Sequence, residues 1–111
     1  MSTLEIDNRR IALDKDGYLL DLADWSPAVA EALARQEQLS LSAEHWEILH
    51  LLRDFYDEFQ LAPANRPLIK YAALKLGPSK GNSLHLNQLF KGTPAKLAAK
   101  LAGLPKPTNC L

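Results

Sequence analysis

Residues 42–59, SAEHWEILHLLRDFYDEF, decide the fold class. Trp46, Leu49 and Tyr56, with Ile48, Leu52, Phe55 and Phe59 beside them, recur at three- and four-residue steps, the repeat that gathers apolar side chains on one face of an α-helix. Ser42 is placed to cap its start, and Pro63 stops it, so the stretch predicts a long central core helix. Downstream, Asn65 begins a helix through Leu68, Ile69, Tyr71, Ala72, Leu74 and Leu76 that Gly77-Pro78 ends. Ser83 to Phe90 forms a further helix, and Thr93-Pro94 caps and starts the last, with Leu97, Ala98 and Leu101 ahead of the terminating Gly103. Upstream, Ser26-Pro27 opens a helix whose stripe of Val29, Ala30, Leu33 and Ala34 runs to about Gln38. Before it, Arg9–Leu13, the turn Asp14-Lys15-Asp16-Gly17 and Tyr18-Leu19-Leu20 read as a short β-hairpin. The expectation is an α+β, mostly α fold: a small helical bundle with an N-terminal β-hairpin, in one domain over 1–111.

Composition agrees with that reading. A chain of 111 residues holds one modest core and excludes a multidomain enzyme. Its 47% hydrophobic and 23% charged residues are globular proportions rather than disordered ones. The single cysteine excludes an internal disulfide, and Met1 is followed by Ser-Thr-Leu-Glu rather than by a basic and then apolar run, so the expected location is the cytoplasm. No run approaches the roughly 18 apolar residues of a membrane span, and no membrane partner is expected. The zero net charge conceals an asymmetry. All 13 acidic residues lie at or before Glu58, with five basic ones, whereas Phe59 to Leu111 carries eight basic residues and no acidic one. Such a half attracts anionic partners unless the two halves pack together and neutralise each other.

Candidate chemistry converges on the C-terminus. Residues Leu104-Pro105-Lys106-Pro107-Thr108-Asn109-Cys110-Leu111 contain two prolines that forbid helix and favour an extended arm over 104–111, outside the core. Seven residues past Gly103, an extended chain carries the Cys110 thiol about 25 Å from the last helix. An exposed thiol suits nucleophilic catalysis, redox sensing or carriage of a group as a thioester, disulfide or persulfide. The tail holds neither a histidine nor a carboxylate side chain to serve as base, which favours the carrier. His45, His50 and His85 lack metal-ligand spacing and read as structural or solvated, so no metal and no cofactor is expected. Lys80-Gly81-Asn82-Ser83 lacks the pattern of a phosphate loop. The helix pair around Pro63-Ala64-Asn65-Arg66-Pro67 has the spacing of a helix-turn-helix but no base-reading Asn or Gln set, so sequence-specific DNA binding is not expected.

Three runs carry a resemblance: Ser42-Ala43-Glu44-His45-Trp46-Glu47 continuing to Arg53-Asp54-Phe55-Tyr56; Lys80-Gly81-Asn82-Ser83; and Ala102-Gly103-Leu104-Pro105-Lys106-Pro107-Thr108-Asn109-Cys110-Leu111. Together they resemble the TusE/DsrC family of sulfur-relay proteins over nearly the whole chain. The resemblance implies a helix-turn-helix, winged-helix-like core and a flexible arm over 104–111 whose penultimate cysteine, here Cys110, carries sulfur. In the DsrC branch, which serves dissimilatory sulfite reductase, a second cysteine stands eleven residues earlier, where this chain has Ala99. That difference favours the TusE branch over a DsrC-like accessory role in sulfite reduction or sulfur oxidation, and over a non-catalytic helix-turn-helix module. For that branch the resemblance implies a sulfurtransferase. Cys110 would take persulfide sulfur from the TusBCD complex, through its TusD subunit, and pass it to the thiouridylase MnmA with bound tRNA, for 2-thiouridine at the wobble position.

Overall fold

The computed structural model describes residues 2–107. Two strands, β1 Ser2–Ile6 and β2 Arg9–Leu13, precede five helices: α1 Pro27–Gln36, α2 Ala43–Phe59, α3 Asn65–Leu76, α4 Ser83–Leu89 and α5 Pro94–Leu101. The helix starts reflect local chemistry. Ser26 Oγ accepts from the Val29 N–H ahead of α1, and Asn82 Oδ1 accepts from the His85 N–H at α4. At α2 the cap is reciprocal: Ser42 Oγ accepts from the His45 N–H, and His45 Nδ1 accepts from the Ser42 N–H at 3.0 Å. Gln60 at φ 58° ends α2, and after residues 60–64 the chain enters α3, which packs on α2 as the helix-turn-helix pair.

Two expectations need correction. The expected hairpin turn at Asp14–Gly17 exists, with the Gly17 N–H on Asp14 O and the Asp14 N–H on Tyr18 O, but the pairing beyond it is a single bridge, Leu13 to Leu19. The regular hairpin is β1 against β2, antiparallel with Leu4 opposite Ile11, around Asp7-Asn8 at φ 49° and 63°. Asp and Asn tolerate this left-handed backbone without glycine, which is why the turn carries no glycine signal. The second correction concerns the centre. Length and apolar count pointed to α2, yet α5 is the element that touches α1, α2, α3 and α4. Pro94, Ala95, Leu97, Ala98, Ala99 and Leu101 of α5 are buried. Alanine's small side chain lets four helices approach its backbone closely, so a short helix with few large side chains occupies the middle.

A buried helix leaves its end groups away from water, and they need partners. The cap expected from Thr93 is not made, its hydroxyl donating to Phe90 O, and Asn65 supplies the bond from α3 instead, its Oδ1 accepting from the Ala95 N–H at 3.0 Å. Asn65→Ala is expected to cost about 1 kcal/mol, since it removes a helix cap and leaves a buried donor unpaired; urea denaturation followed by circular dichroism measures it.

Candidate functional site: the root of the C-terminal arm

Cys110, the residue singled out by sequence, lies outside the described residues, as do Thr108, Asn109 and Leu111. The described part is the platform from which they continue. Helix α5 ends in two bonds that turn the chain back: the Gly103 N–H reaches Lys100 O at 3.2 Å and the Leu104 N–H reaches Ala99 O at 2.9 Å. Gly103 sits at φ 74°, and a Cβ there would lie 2.3 Å from Trp25 Cδ1, so both backbone and neighbour require glycine.

The last carbonyls of the helix are taken by side chains from far upstream. Trp25 Nε1–H donates to Leu101 O at 2.9 Å, and Arg53 Nη1–H donates to Ala102 O at 2.6 Å. The Arg53 guanidinium lies 3.9 Å from the centre of the Trp25 ring, so one cation both stacks on the indole and caps the helix. Burial lowers the Arg53 pKa from its ordinary value, while the charge of Asp57 works in the opposite direction. Arginine stays protonated through such a shift, and its charge faces the negative end of the α5 dipole.

The arm expected to stand free from Leu104 onward is packed at its root. Leu104 is 2% exposed and belongs to the core, Pro107 is buried, and Lys106 Nζ lies 3.2 Å from Asp16 Oδ2 in the Asp14–Gly17 turn. Prolines exclude helix but not packing, and the Leu104-to-Ala99 bond folds the leucine onto α5. Cys110 comes three residue steps after Pro107, a chain length of at most about 11 Å. That bound replaces the longer reach counted from Gly103.

The histidines do not converge. His45 is buried, with Nε2–H donating to Leu89 O at 2.8 Å, and it ties α2 to α4. His50 is exposed and stacks on Trp46, and His85 Nε2 lies 3.6 Å from Glu44 Oε2. Among the described residues no cluster of His, Cys, Asp and Glu is arranged to hold a metal. No helix among them is long and apolar enough to cross a membrane. The Lys80-Gly81-Asn82 loop is structural: Lys80 pairs with Glu47, Asn82 caps α4, and a Cβ at Gly81 would fall 2.0 Å from Ala73 N on α3. A groove of about 510 Å³ at the hairpin tip is lined by Glu5 to Arg10 and contains none of the residues that hold the arm. No role at the arm was read from sequence for Trp25, Arg53 or Asp16, because their partners are 76, 49 and 90 residues away.

Comparison with known proteins places this geometry. A model of the DsrC family, described as DsrC like protein, matches residues 5–111. Sulfurtransferase TusE of Pectobacterium atrosepticum is 50% identical over 108 residues, covering 97% of this chain and 99% of that protein. Sulfurtransferase TusE of Photorhabdus laumondii is 46% identical over 111 residues, the whole of both chains. The solution structure of Allochromatium vinosum DsrC superposes with a TM-score of 0.90 at 50% identity, covering 99% of this chain and 98% of that one. The oxidized γ-subunit of dissimilatory sulfite reductase from Archaeoglobus fulgidus superposes at 0.82 with 38% identity, covering 98% and 99%.

Gly103→Ala is expected to destabilise the fold by about 2 kcal/mol or more, combining left-handed backbone strain with a clash against a packed indole. Thermal denaturation measures the loss, and Trp25 fluorescence reports whether the indole is displaced.

Proposed function

The chain belongs to the DsrC-like family of proteins, and from that membership we propose that it is the persulfide carrier of a tRNA-thiolating relay, with Cys110 as the carrying residue. Relatives about half identical over almost their full length bear the name sulfurtransferase, and this chain is a sulfurtransferase with them. The donor in this reading is the TusBCD complex, through a cysteine of TusD, and the acceptor is MnmA with tRNA bound. The product is 2-thiouridine at the wobble position, and the relay works in the cytoplasm.

The chemistry needs one thiolate and no cofactor. The Cys110 thiolate attacks the outer sulfur of the donor's persulfide; a new sulfur–sulfur bond forms on Cys110, and the donor cysteine leaves as its thiolate. An acceptor thiolate then attacks the outer sulfur on Cys110, takes it, and releases Cys110 as thiolate again. One sulfur moves across each step with no net oxidation or reduction.

The observation that carries this reading over the sulfite-reductase branch is Ala99. The resemblance puts that branch's second cysteine at this position, and here it holds a fully buried alanine whose carbonyl accepts the Leu104 N–H. Cys110 is the sole thiol of the chain, so a trisulfide has no internal partner to resolve it.

Intact-protein mass spectrometry tests the assignment, after incubation with a cysteine desulfurase, cysteine and the donor complex. The expected result is gain of one reductant-labile sulfur and its loss on adding the thiouridylase with tRNA. Cys110→Ala is expected to keep the fold and reduce transfer to background; transfer that survives in this variant would overturn the role.

A further inference from the structure

Eight basic side chains come after Glu58, and the fold occupies half of them. Lys80 pairs with Glu47, Lys100 with Glu37 at 3.3 Å and Lys106 with Asp16 at 3.2 Å, while Lys91 donates to the main-chain oxygens of Glu37 and Gln38. The two halves of the sequence therefore do neutralise each other in part. Among the described residues, Arg66, Lys70, Lys75 and Lys96 form no ion pair with a carboxylate.

Three of these four share a neighbourhood. Arg66, Lys70 and Leu74 recur at four-residue steps on α3, which places them in one stripe, and all three are exposed, Leu74 by 78%. The bond from Asn65 Oδ1 to the Ala95 N–H joins the start of α3 to the start of α5, between the residues that immediately precede Arg66 and Lys96, and Lys96 is exposed. At the other end, Gly81, two residues ahead of α4, packs on Ala73, the residue before Leu74, and Leu84 in the first turn of α4 is 69% exposed. Helices α3, α4 and α5 contain no acidic residue. One stripe of α3 thus carries two free cations and a bare leucine, and the contacts at its two ends lead to exposed Lys96 on α5 and exposed Leu84 on α4.

We propose that this face, Arg66, Lys70 and Lys96 with Leu74 and Leu84, docks an acidic protein surface that presents an apolar hollow. Positive charge without local compensation selects an anionic partner. The leucines select protein over nucleic acid: a phosphate backbone is held by cations and gains nothing from a leucine, whereas protein contacts centre on apolar anchors within a charged rim. The inference deepens the relay reading and rests on it. A carrier must meet one protein, leave, and meet another, and a small charge-steered contact gives fast association with ready release. Helix α5 spans about 12 Å from the Lys96 end to the arm's root, so a protein seated on this face has the arm beside it rather than beneath it.

The test is direct binding in the Cys110→Ala background, which separates docking from sulfur chemistry. Association and dissociation rates are measured for the proposed donor complex, the proposed thiouridylase and free tRNA, at low salt and at about 0.5 M salt, where charge attraction is screened. The expected result is that one of the two proteins binds. Arg66→Glu with Lys70→Glu then slows its association about tenfold at low salt, with the difference lost at high salt. Leu74→Asp speeds dissociation, and Arg35→Glu, an exposed cation on α1, changes neither rate. The proposal is overturned if the double reversal has no effect, if Arg35→Glu has an equal effect, if neither protein binds the parent, or if only tRNA binding responds. If docking holds while the chain with Cys110 restored takes up no sulfur, the relay reading fails and the docking face stands.

Discussion

Satisfying the backbone of one short buried helix is the constraint around which this fold is arranged. An eight-residue helix has nearly as many end groups without internal partners as it has residues, and α5 buries most of them among four other helices. Each unpaired buried group costs about 1–3 kcal/mol, against a total stability of about 5–15 kcal/mol for a domain. The partners arrive from distant parts of the chain: Asn65 at the start, Trp25 on Leu101 O and Arg53 on Ala102 O. Alanines bring the neighbours close enough for these side chains to reach. Small apolar side chains and long polar ones are thus two halves of one packing solution.

The same bonds that complete the helix also aim the arm. Trp25 and Arg53 hold the two carbonyls immediately before Gly103, and Gly103 turns the chain against the Trp25 ring. Leu104 then enters the core, and Lys106 meets Asp16 in a turn stiffened by the Asp14 carboxylate, which accepts from the N–H groups of Asp16 and Tyr18. The exposed ion pair adds little by itself, well under 1 kcal/mol in the usual case, so the burial of Leu104 and Pro107 sets the direction of the root. A sulfur carrier benefits from this division: the root is fixed by packing, and Cys110, the residue proposed to carry the sulfur, comes three positions after Pro107.

Much of this was legible in sequence, and the residues show why. Helix starts at Ser26 and Ser42 depend on a side chain three residues from the group it caps, and prolines at 27 and 94 act at their own positions, so local reading finds them. The β1–β2 hairpin escaped because Asp7-Asn8 reaches positive φ without glycine. The centrality of α5 escaped because it rests on alanines, which carry almost no pattern, while the longer α2, with its many large apolar side chains, drew the reading to itself. Cys110 was singled out through its offset from the chain end and the prolines before it, a motif rather than a fold, and it lies outside the described residues. The packed root was hidden: prolines announce an extended backbone, but whether it lies on the protein depends on Trp25, Arg53 and Asp16, distant in sequence.

Arg53 shows how these constraints meet in one side chain. It must bring a donor to Ala102 O, fill the face of the Trp25 indole and keep its charge where burial works against the charged form. Lysine has a single ammonium that stacks poorly and sheds its proton more readily when desolvated, whereas a guanidinium is flat, weakly hydrated and keeps its proton under the same burial. The negative end of α5 and the nearby Asp57 offset part of the desolvation. A charge partly removed from water is held by the helix end it caps, and that helix end is held by the charge. The arm inherits its direction from this mutual dependence, because the carbonyl that Arg53 grips belongs to the residue immediately before the glycine at which the chain turns.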